Sequence, residues 1–209
     1  MLRLYDPATD ALHELHPGPV RIQVHGSDPR VHVVADVLRR VAHRRGHQVL
    51  IGRSGPSGRD LAALNVQPME WDPDEADLHV SDVAQSGRTV MVAPSGELPP
   101  HADPPSQRLA LLATHYRSPV DAAPSGDLLA RWRNLVAAWA DAPGKPMSAE
   151  YVAEAGAALD NDLDVPGALS VMDRLAADPE PPPGAKFETF VHLDLILALD
   201  LVSAIGRPR

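Results

Sequence analysis

Cysteine is absent from the 209 residues. This excludes disulfides and any thiolate metal site, and it fits a reducing compartment. Aromatic residues are scarce, at 4% of the chain against 44% hydrophobic residues, so a core must be built from Ala, Val and Leu. Of 19 basic residues only Lys145 and Lys186 are lysines. Positive charge is outweighed overall, with a formal net charge of −9. A protein that grips nucleic acid through several phosphates needs a basic surface, so tRNA is at most a weak expectation. No apolar run approaches the ~20 residues that span a bilayer. No signal-peptide pattern precedes Leu2. A soluble, cytoplasmic protein without a membrane partner is expected.

What is present begins to organise itself at residues 20–40, VRIQVHGSDPRVHVVADVLRR. Residues 20–24 alternate and are rich in β-branched side chains, the pattern of a buried strand. Gly26 ends it, Asp28 is placed as a helix N-cap, and Pro29 suits the first helical position. Val31, Val34, Val37, Leu38 and Val41 then recur at three- and four-residue steps, which predicts one apolar helix face. Strand, tight turn and helix form the first half of a βαβ unit, whose turn opens onto the ligand crevice at the carboxyl end of the strand.

In chain order, residues 2–5 and 11–15 flank a Pro- and Asp-containing turn and predict a small hairpin. Arg45-Gly46 closes the first helix with a glycine cap. Residues 48–51 predict a second strand, parallel to the first if the helix is a crossover. Residues 53–59, RSGPSGR, form a glycine-rich loop before a short helix at 60–64. Short strands are expected at 69–71, 77–80 and 89–93. The prolines, 22 in all, gather between periodic segments. Residues 94–105 are the richest such stretch. Beyond it the period is helical: 107–116, 127–140, 149–159, 167–176 and 186–205. The expected division is an α/β domain over 1–94, a linker over 95–105, and a helical domain over 106–209.

Several stretches resemble a known family. Residues 109–121, LALLATHYRSPVD, and 160–169, DNDLDVPGAL, are similar to segments of cysteinyl-tRNA synthetases that follow the catalytic domain. LRLYD at 2–6, PGPV at 17–20 and ADVLRR at 35–40 resemble the hairpin, first strand and first helix of that family. The mycothiol-pathway cysteine ligases match at least as well, notably at DLDVPGAL, and DLHV at 77–80 resembles part of the active-site half. The chain is less than half the usual length. The resemblance implies a compact Rossmann-like parallel sheet, a class I synthetase core without its insertion, followed by an antiparallel α-helical bundle like the stem-contact region.

Carried over residue by residue, the chemistry of that family fails to match. Its HIGH-type signature stands at the start of the first helix, where two histidines help to stabilise the ATP phosphates. Here the stretch is His25-Gly26-Ser27-Asp28-Pro29-Arg30. In one alignment His25 is the first signature histidine and Asp28 replaces the second. In the other, His25 stands for the zinc-ligand cysteine that follows the first strand. The lysine loop, KMSKS, falls before THYRSP, where this chain has Ser95-Gly96-Glu97-Leu98-Pro99. Lys145-Pro146-Met147-Ser148 is similar in letters but lies after THYRSP, a coincidence of the kind short motifs produce. The zinc thiolate, connective insertion and anticodon-binding domain have no counterpart. The sequence argues against aminoacylation.

Other features have plainer readings. RSGPSGR has the context of a phosphate cradle, but its glycines match no established spacing, and a shortened bridge is favoured. Arg39, Arg40, Arg44 and Arg45 suit a helix C-terminus, with a phosphate patch as the alternative. His13, His16 and His25 are too dispersed to be assigned as metal ligands. His115, Tyr116 and Arg117 are favoured for interdomain hydrogen bonding. Asp160, Asp162 and Asp164 are read as an acidic helix start.

Two functions are therefore carried. The favoured one is a catalytically silent, synthetase-like module that binds an adenine nucleotide, an aminoacyl-adenylate, a charged tRNA end or a protein partner. The alternative is a minimal ATP-dependent ligase joining a cysteine-like amino acid to a small acceptor or tRNA. His25, Gly26, Ser27, Asp28 and Arg30, with Trp71, Asp77 and His79, are expected to line the ATP or adenylate site. No catalytic residue or metal ligand is assigned, and a homodimer face is considered on the helical bundle. Replacing His25 and Arg30 together by alanine is expected to remove nucleotide-induced stabilisation and leave the fold intact.

Overall fold

The computed structural model describes residues 1–55, 60–69, 75–96, 98, 102–120 and 127–206. Among these residues it is an α/β structure of six strands and six α-helices. β1 (Arg3–Asp6) and β2 (Ala11–Glu14) pair as an antiparallel hairpin. β3 (Val20–His25), β4 (Val49–Ser54), β5 (Leu78–Ser81) and β6 (Thr89–Met91) form a parallel sheet in the order β4-β3-β5-β6. Arg88, just before β6, ties the hairpin to the sheet by donating to the carbonyl of His13 at 2.8 Å.

α1 (Pro29–Arg44) is the crossover between β3 and β4. Its start follows from Asp28, whose side chain accepts from the Arg30 amide, and from Pro29 in the first turn. Its end is marked by Gly46 at φ +83°. Val31, Val34, Val37, Leu38 and Val41 are all buried, as are Ile22, Val24, Leu78 and Val80 of the sheet, and Val34 and Val37 lie against Leu111 and Leu112.

α2 (Pro104–Leu112), α3 (Asp127–Trp139), α4 (Ala149–Asp160), α5 (Val165–Ala177) and α6 (Pro183–Leu197) follow. α2 and α6 pack on α1, α4 packs on α5, and α3 packs on α6. Few aromatics are needed here because they are concentrated: Trp132 and Trp139 meet Phe190 edge-on, with centroids 6.0 and 5.3 Å apart. Buried ion pairs add direction to this apolar packing. Asp36 of α1 is inaccessible to solvent and pairs with Arg39, Arg40 and Arg108 at 2.7, 2.8 and 2.8 Å. Burial works against its charge, but Arg108 and Arg40 hold the carboxyl below its ordinary value. Arg108 also donates to the carbonyls of Leu64 and Leu197, joining α2 to the turn after β4 and to the end of α6.

Asp162 is a second junction. It and Leu163 lie in the left-handed region, at φ +60° and +49°. Its carboxylate accepts from the Tyr5 amide at 2.8 Å and from the Tyr116 hydroxyl at 2.5 Å, with Arg117 Nε 2.9 Å away. Its carbonyl lies 3.0 Å from His115 Nε2. THYRSP and DLDVPGAL, the two most recognisable stretches, therefore meet each other and the hairpin at one side chain.

The elements depart from expectation in four places. β4 runs on to Ser54, because all six of its residues pair with β3. Residues 61–65 form a turn rather than a helix, with Asp60 accepting from the amides of Ala62 and Ala63. The last helix is not continuous over 186–205: it stops at Leu197, Ala198 and Asp200 turn left-handed at φ +53° and +57°, and a 3₁₀ turn follows at Leu201–Ala204. The Asp194 carboxylate drives this break by accepting from the amides of Leu199 and Leu201. Met69 lies outside any strand, and the rest of the strand expected at 69–71 is outside the described residues. Among the described residues, no helix is long and apolar enough to cross a membrane.

Candidate functional site

Parallel strands bring their carboxyl ends to one edge, and the turn after β3 opens there. In register, His25 lies beside Ser54 of β4, and His79 of β5 lies beside Gln23. Side chains that share a sheet face alternate, so His25, Ser54 and His79 project from the same side. They form a chain of hydrogen bonds: Ser54 Oγ is 2.8 Å from His25 Nδ1, and His25 Nε2 is 2.9 Å from His79 Nδ1. Burial and then the neighbouring His79 lower the affinity of His25 for a proton, which leaves the ring neutral near pH 7. Two tautomer sets satisfy both contacts: the Ser54 hydroxyl donates to Nδ1 of His25 and Nε2–H of His25 to His79, or His79 Nδ1–H donates to Nε2 of His25 while His25 Nδ1–H donates to Ser54 Oγ, whose hydroxyl then donates to the Val24 carbonyl at 3.3 Å.

Gly26, at φ +97°, continues the edge, and a Cβ there would meet Asp82 Oδ1 at 2.8 Å. A side chain at position 26 would therefore strain the backbone and push the exposed Asp82 carboxylate aside. Nε2 of His32, one helical turn into α1, lies 3.1 Å from the Gly26 carbonyl. Its buried Nδ1 has no partner, and burial holds His32 neutral. Asp28 occupies the helix N-terminus with both oxygens: Oδ1 accepts from the Arg30 amide at 2.8 Å and Oδ2 from the Ser95 amide at 2.9 Å.

Not every residue expected at this edge is there. His25, Gly26, Ser27, Asp28 and His79 gather at it. Arg30 turns inward, fully buried, and spends all five N–H donors on the carbonyls of Ala93, Leu111, Thr114, His115 and Ser118, at 2.6 to 3.2 Å. Replacing Arg30 by alanine would strand those carbonyls, so the expectation that the double substitution leaves the fold intact is corrected. Asp77 lies at the amino end of β5, where it holds Arg21 at 2.7 and 3.0 Å. Trp71 is outside the described residues, as is most of the RSGPSGR loop. Ser54, His32 and Asp82 were not singled out from the sequence. Ser54 was read as loop because Gly-Arg-Ser-Gly has the composition of one.

The other charged groups are engaged elsewhere. Arg39 and Arg40 belong to the Asp36 junction, Arg44 lies 2.9 Å from Nε2 of His192, and Arg45 pairs with Asp160 at 2.7 Å. Asp164 caps α5 by accepting from the Gly167 amide. Lys145 is exposed in the irregular segment before α4, and Lys186 donates to the carbonyls of Ala176 and Asp178. His13 meets Thr9 on the hairpin at 2.6 Å. Among the described residues, no group of three His, Asp or Glu side chains is placed to hold a metal ion.

No protein-family model matches the chain. Curated proteins do. The L-cysteine:1D-myo-inositol 2-amino-2-deoxy-alpha-D-glucopyranoside ligase of Streptosporangium roseum is 35% identical over 146 residues, 63% of this chain and 35% of that protein. The ligase of the same name from Thermobispora bispora is 37% identical over 118 residues, 52% of this chain and 28% of that protein. That of Gordonia bronchialis is 44% identical over 83 residues, 36% of this chain and 19% of that protein. The aligned part thus covers at most 35% of these relatives' length. Over that part the chain is a homologue of the cysteine ligases, a cysteinyl-tRNA synthetase-like class I group.

Proposed function

We propose that the chain is a degenerate cysteine-ligase-like module that binds an adenylate-like ligand or a protein partner at the sheet edge without activating an amino acid. The observation that carries this reading is Asp28. Its carboxylate fills the helix N-terminus with an internal anion and takes the amides of Arg30 and Ser95. We align His25 with the first signature histidine, so that Asp28 replaces the second. A phosphate oxygen about 4 Å from this carboxylate would be opposed by about 1–4 kcal/mol per unit charge, between bulk water and a surface dielectric. That is roughly a fivefold to thousandfold loss of affinity. Arg30 is committed to carbonyls and the two lysines lie elsewhere, so the cation left near the edge is Arg53, which acts on His32.

In this reading the α/β part at 1–94 carries the site. The helices at 106–209 form an antiparallel bundle like the stem-contact region, available for a homodimer or protein partner, and 95–105 is the linker. The names of the relatives support a second reading, an ATP-dependent ligase with a minimal site. Amino-acid-dependent pyrophosphate exchange separates the two. The module reading expects no exchange with cysteine, a thermal shift with a non-hydrolysable cysteinyl adenylate larger than with ATP, and a gain in the ATP-induced shift in Asp28→Asn. Exchange above background in purified protein would establish the ligase.

A further inference from the structure

The geometry points to a second chemistry at the same edge: we propose that Ser54 is a nucleophile for acyl transfer, with His25 as its general base and His79 as the positioning residue. The inference is independent of adenylate binding. An activated serine needs a base within hydrogen-bond reach and a third group that orients the base. Ser54 Oγ lies 2.8 Å from His25 Nδ1, and His25 Nε2 lies 2.9 Å from His79 Nδ1, so both conditions are met by side chains from three adjacent strands. Ser54 is exposed at the last position of β4, whereas His25 and His79 are half-buried. The nucleophile therefore faces solvent while its supports are held in the sheet.

The competing explanation is a purely structural hydrogen bond. The only other contact of the Ser54 hydroxyl among the described residues is the Val24 carbonyl at 3.3 Å, longer than that to His25. A hydroxyl at an exposed strand end can be satisfied by water, so the fold does not require a histidine pair behind it. Burial keeps the base neutral and able to accept a proton. His79 is the titratable group that acts on His25, whereas Arg53, Asp28 and Asp82 act on His32. The amides of Ser27 and Gly55 find no protein acceptor among the described residues, and both residues are exposed at the same edge, where they could serve a developing oxyanion. Asp28 and Asp82 outnumber Arg53 among the charges that act on His32, so the class expected is a small uncharged acyl ester.

The step balances without metal or redox partner. Ser54 Oγ bonds to the ester carbonyl carbon as His25 Nδ1 takes the hydroxyl proton. Collapse breaks the ester C–O bond, and the leaving alcohol takes that proton. Water, deprotonated by His25, then cleaves the acyl-serine to give the acid and restore the hydroxyl. With a fluorophosphonate probe the Oγ–P bond forms and fluoride leaves with the proton, trapping the serine.

The full chain is treated with a fluorophosphonate probe and, separately, with p-nitrophenyl butyrate. One adduct, mapped by mass spectrometry to Ser54 and absent in Ser54→Ala, is expected. His25→Ala is expected to slow labelling about 10²-fold or more. His79→Ala should also slow it, and His79→Asn, whose carbonyl can replace Nδ1 as acceptor, should recover part of the rate. The ester hydrolysis rate should rise with an inflection below 6.5, the ordinary histidine value. An adduct that persists in Ser54→Ala or maps elsewhere, or no adduct on the unmodified protein at millimolar probe, would overturn the proposal.

Discussion

Asp36→Ala should cost this protein more stability than any exposed ion pair, because it removes the shared counter-ion of a buried arginine. Asp36 and Arg108 are both inaccessible to solvent and lie 2.8 Å apart, with Arg39 and Arg40 on the remaining carboxylate positions. The Gln67 amide also bonds to this carboxylate, at 3.1 Å. Breaking one side of a buried pair costs about 3–5 kcal/mol, since the survivor is left charged and dry. Whole domains are stable by about 5–15 kcal/mol, so the loss is a large fraction of the total. With a urea slope of about 2 kcal/mol per molar, the midpoint should fall by roughly 1.5–2.5 M. Replacing both partners, as Asp36→Leu with Arg108→Met, should recover part of it, because the most deeply buried charge leaves with its counter-ion while Arg39 and Arg40 stay without theirs. The pH dependence has a definite sign. The folded Asp36 is held below its ordinary 3.8, so its contribution is present above that value and is lost as pH falls through the folded value. Urea melts of the single variant, the double variant and Arg21→Ala decide the matter. If Asp36→Ala shifts the midpoint no more than Arg21→Ala, which removes an exposed pair, the buried junction does not hold the two parts together.

Two further outcomes follow from local geometry. Ala198 sits at φ +53°, where an L side chain is strained, so Ala198→Gly should raise stability by about 0.5–1 kcal/mol in thermal melts. A decrease would mean that the Ala198 side chain packs more usefully than its backbone is strained. His32 is held neutral by burial, so its contribution is whole above pH 6.5 and declines as pH falls below it. His32→Gln keeps a donor for the Gly26 carbonyl but cannot titrate, and its melting temperature should drop less than the native protein's between pH 7 and 5. A difference independent of pH would refute this.

Much of the fold could be read from local pattern because it is locally encoded. Alternation marked β3, and the Asp28-Pro29 pair marked the start of α1 with its three- and four-residue apolar steps. The hairpin, β5, β6 and α2 to α5 lie within a few residues of their expected places for the same reason. What escaped was set by distant partners. Nothing in LALDLVS breaks a helix; the break comes from Asp194 turning back on the chain, and from Arg108 and Arg133 drawing out the carbonyls of Leu197, Leu199 and Asp200. β4 reaches Ser54 because β3 offers a full ladder, which outweighs the turn-forming composition of its last residues. In the candidate site, His25 and Asp28 were visible from their place after a strand and before a helix. Arg30 and Asp77 had suitable chemistry, but residue type says nothing about which way a side chain turns. Ser54 became visible only once the strand register placed it beside His25.

The guanidinium of Arg30 has a mechanical corollary. It bolts the opening turn of α1 to the span from Leu111 to Ser118, on the far side of the parallel sheet's last strand. A guest that leans on Asp28 therefore presses against a braced wall. Any displacement it caused would have to carry THYRSP with it, and through Asp162 the start of α5 as well. Slow amide exchange should accordingly be shared by these three segments, rising and falling in concert when the edge is filled.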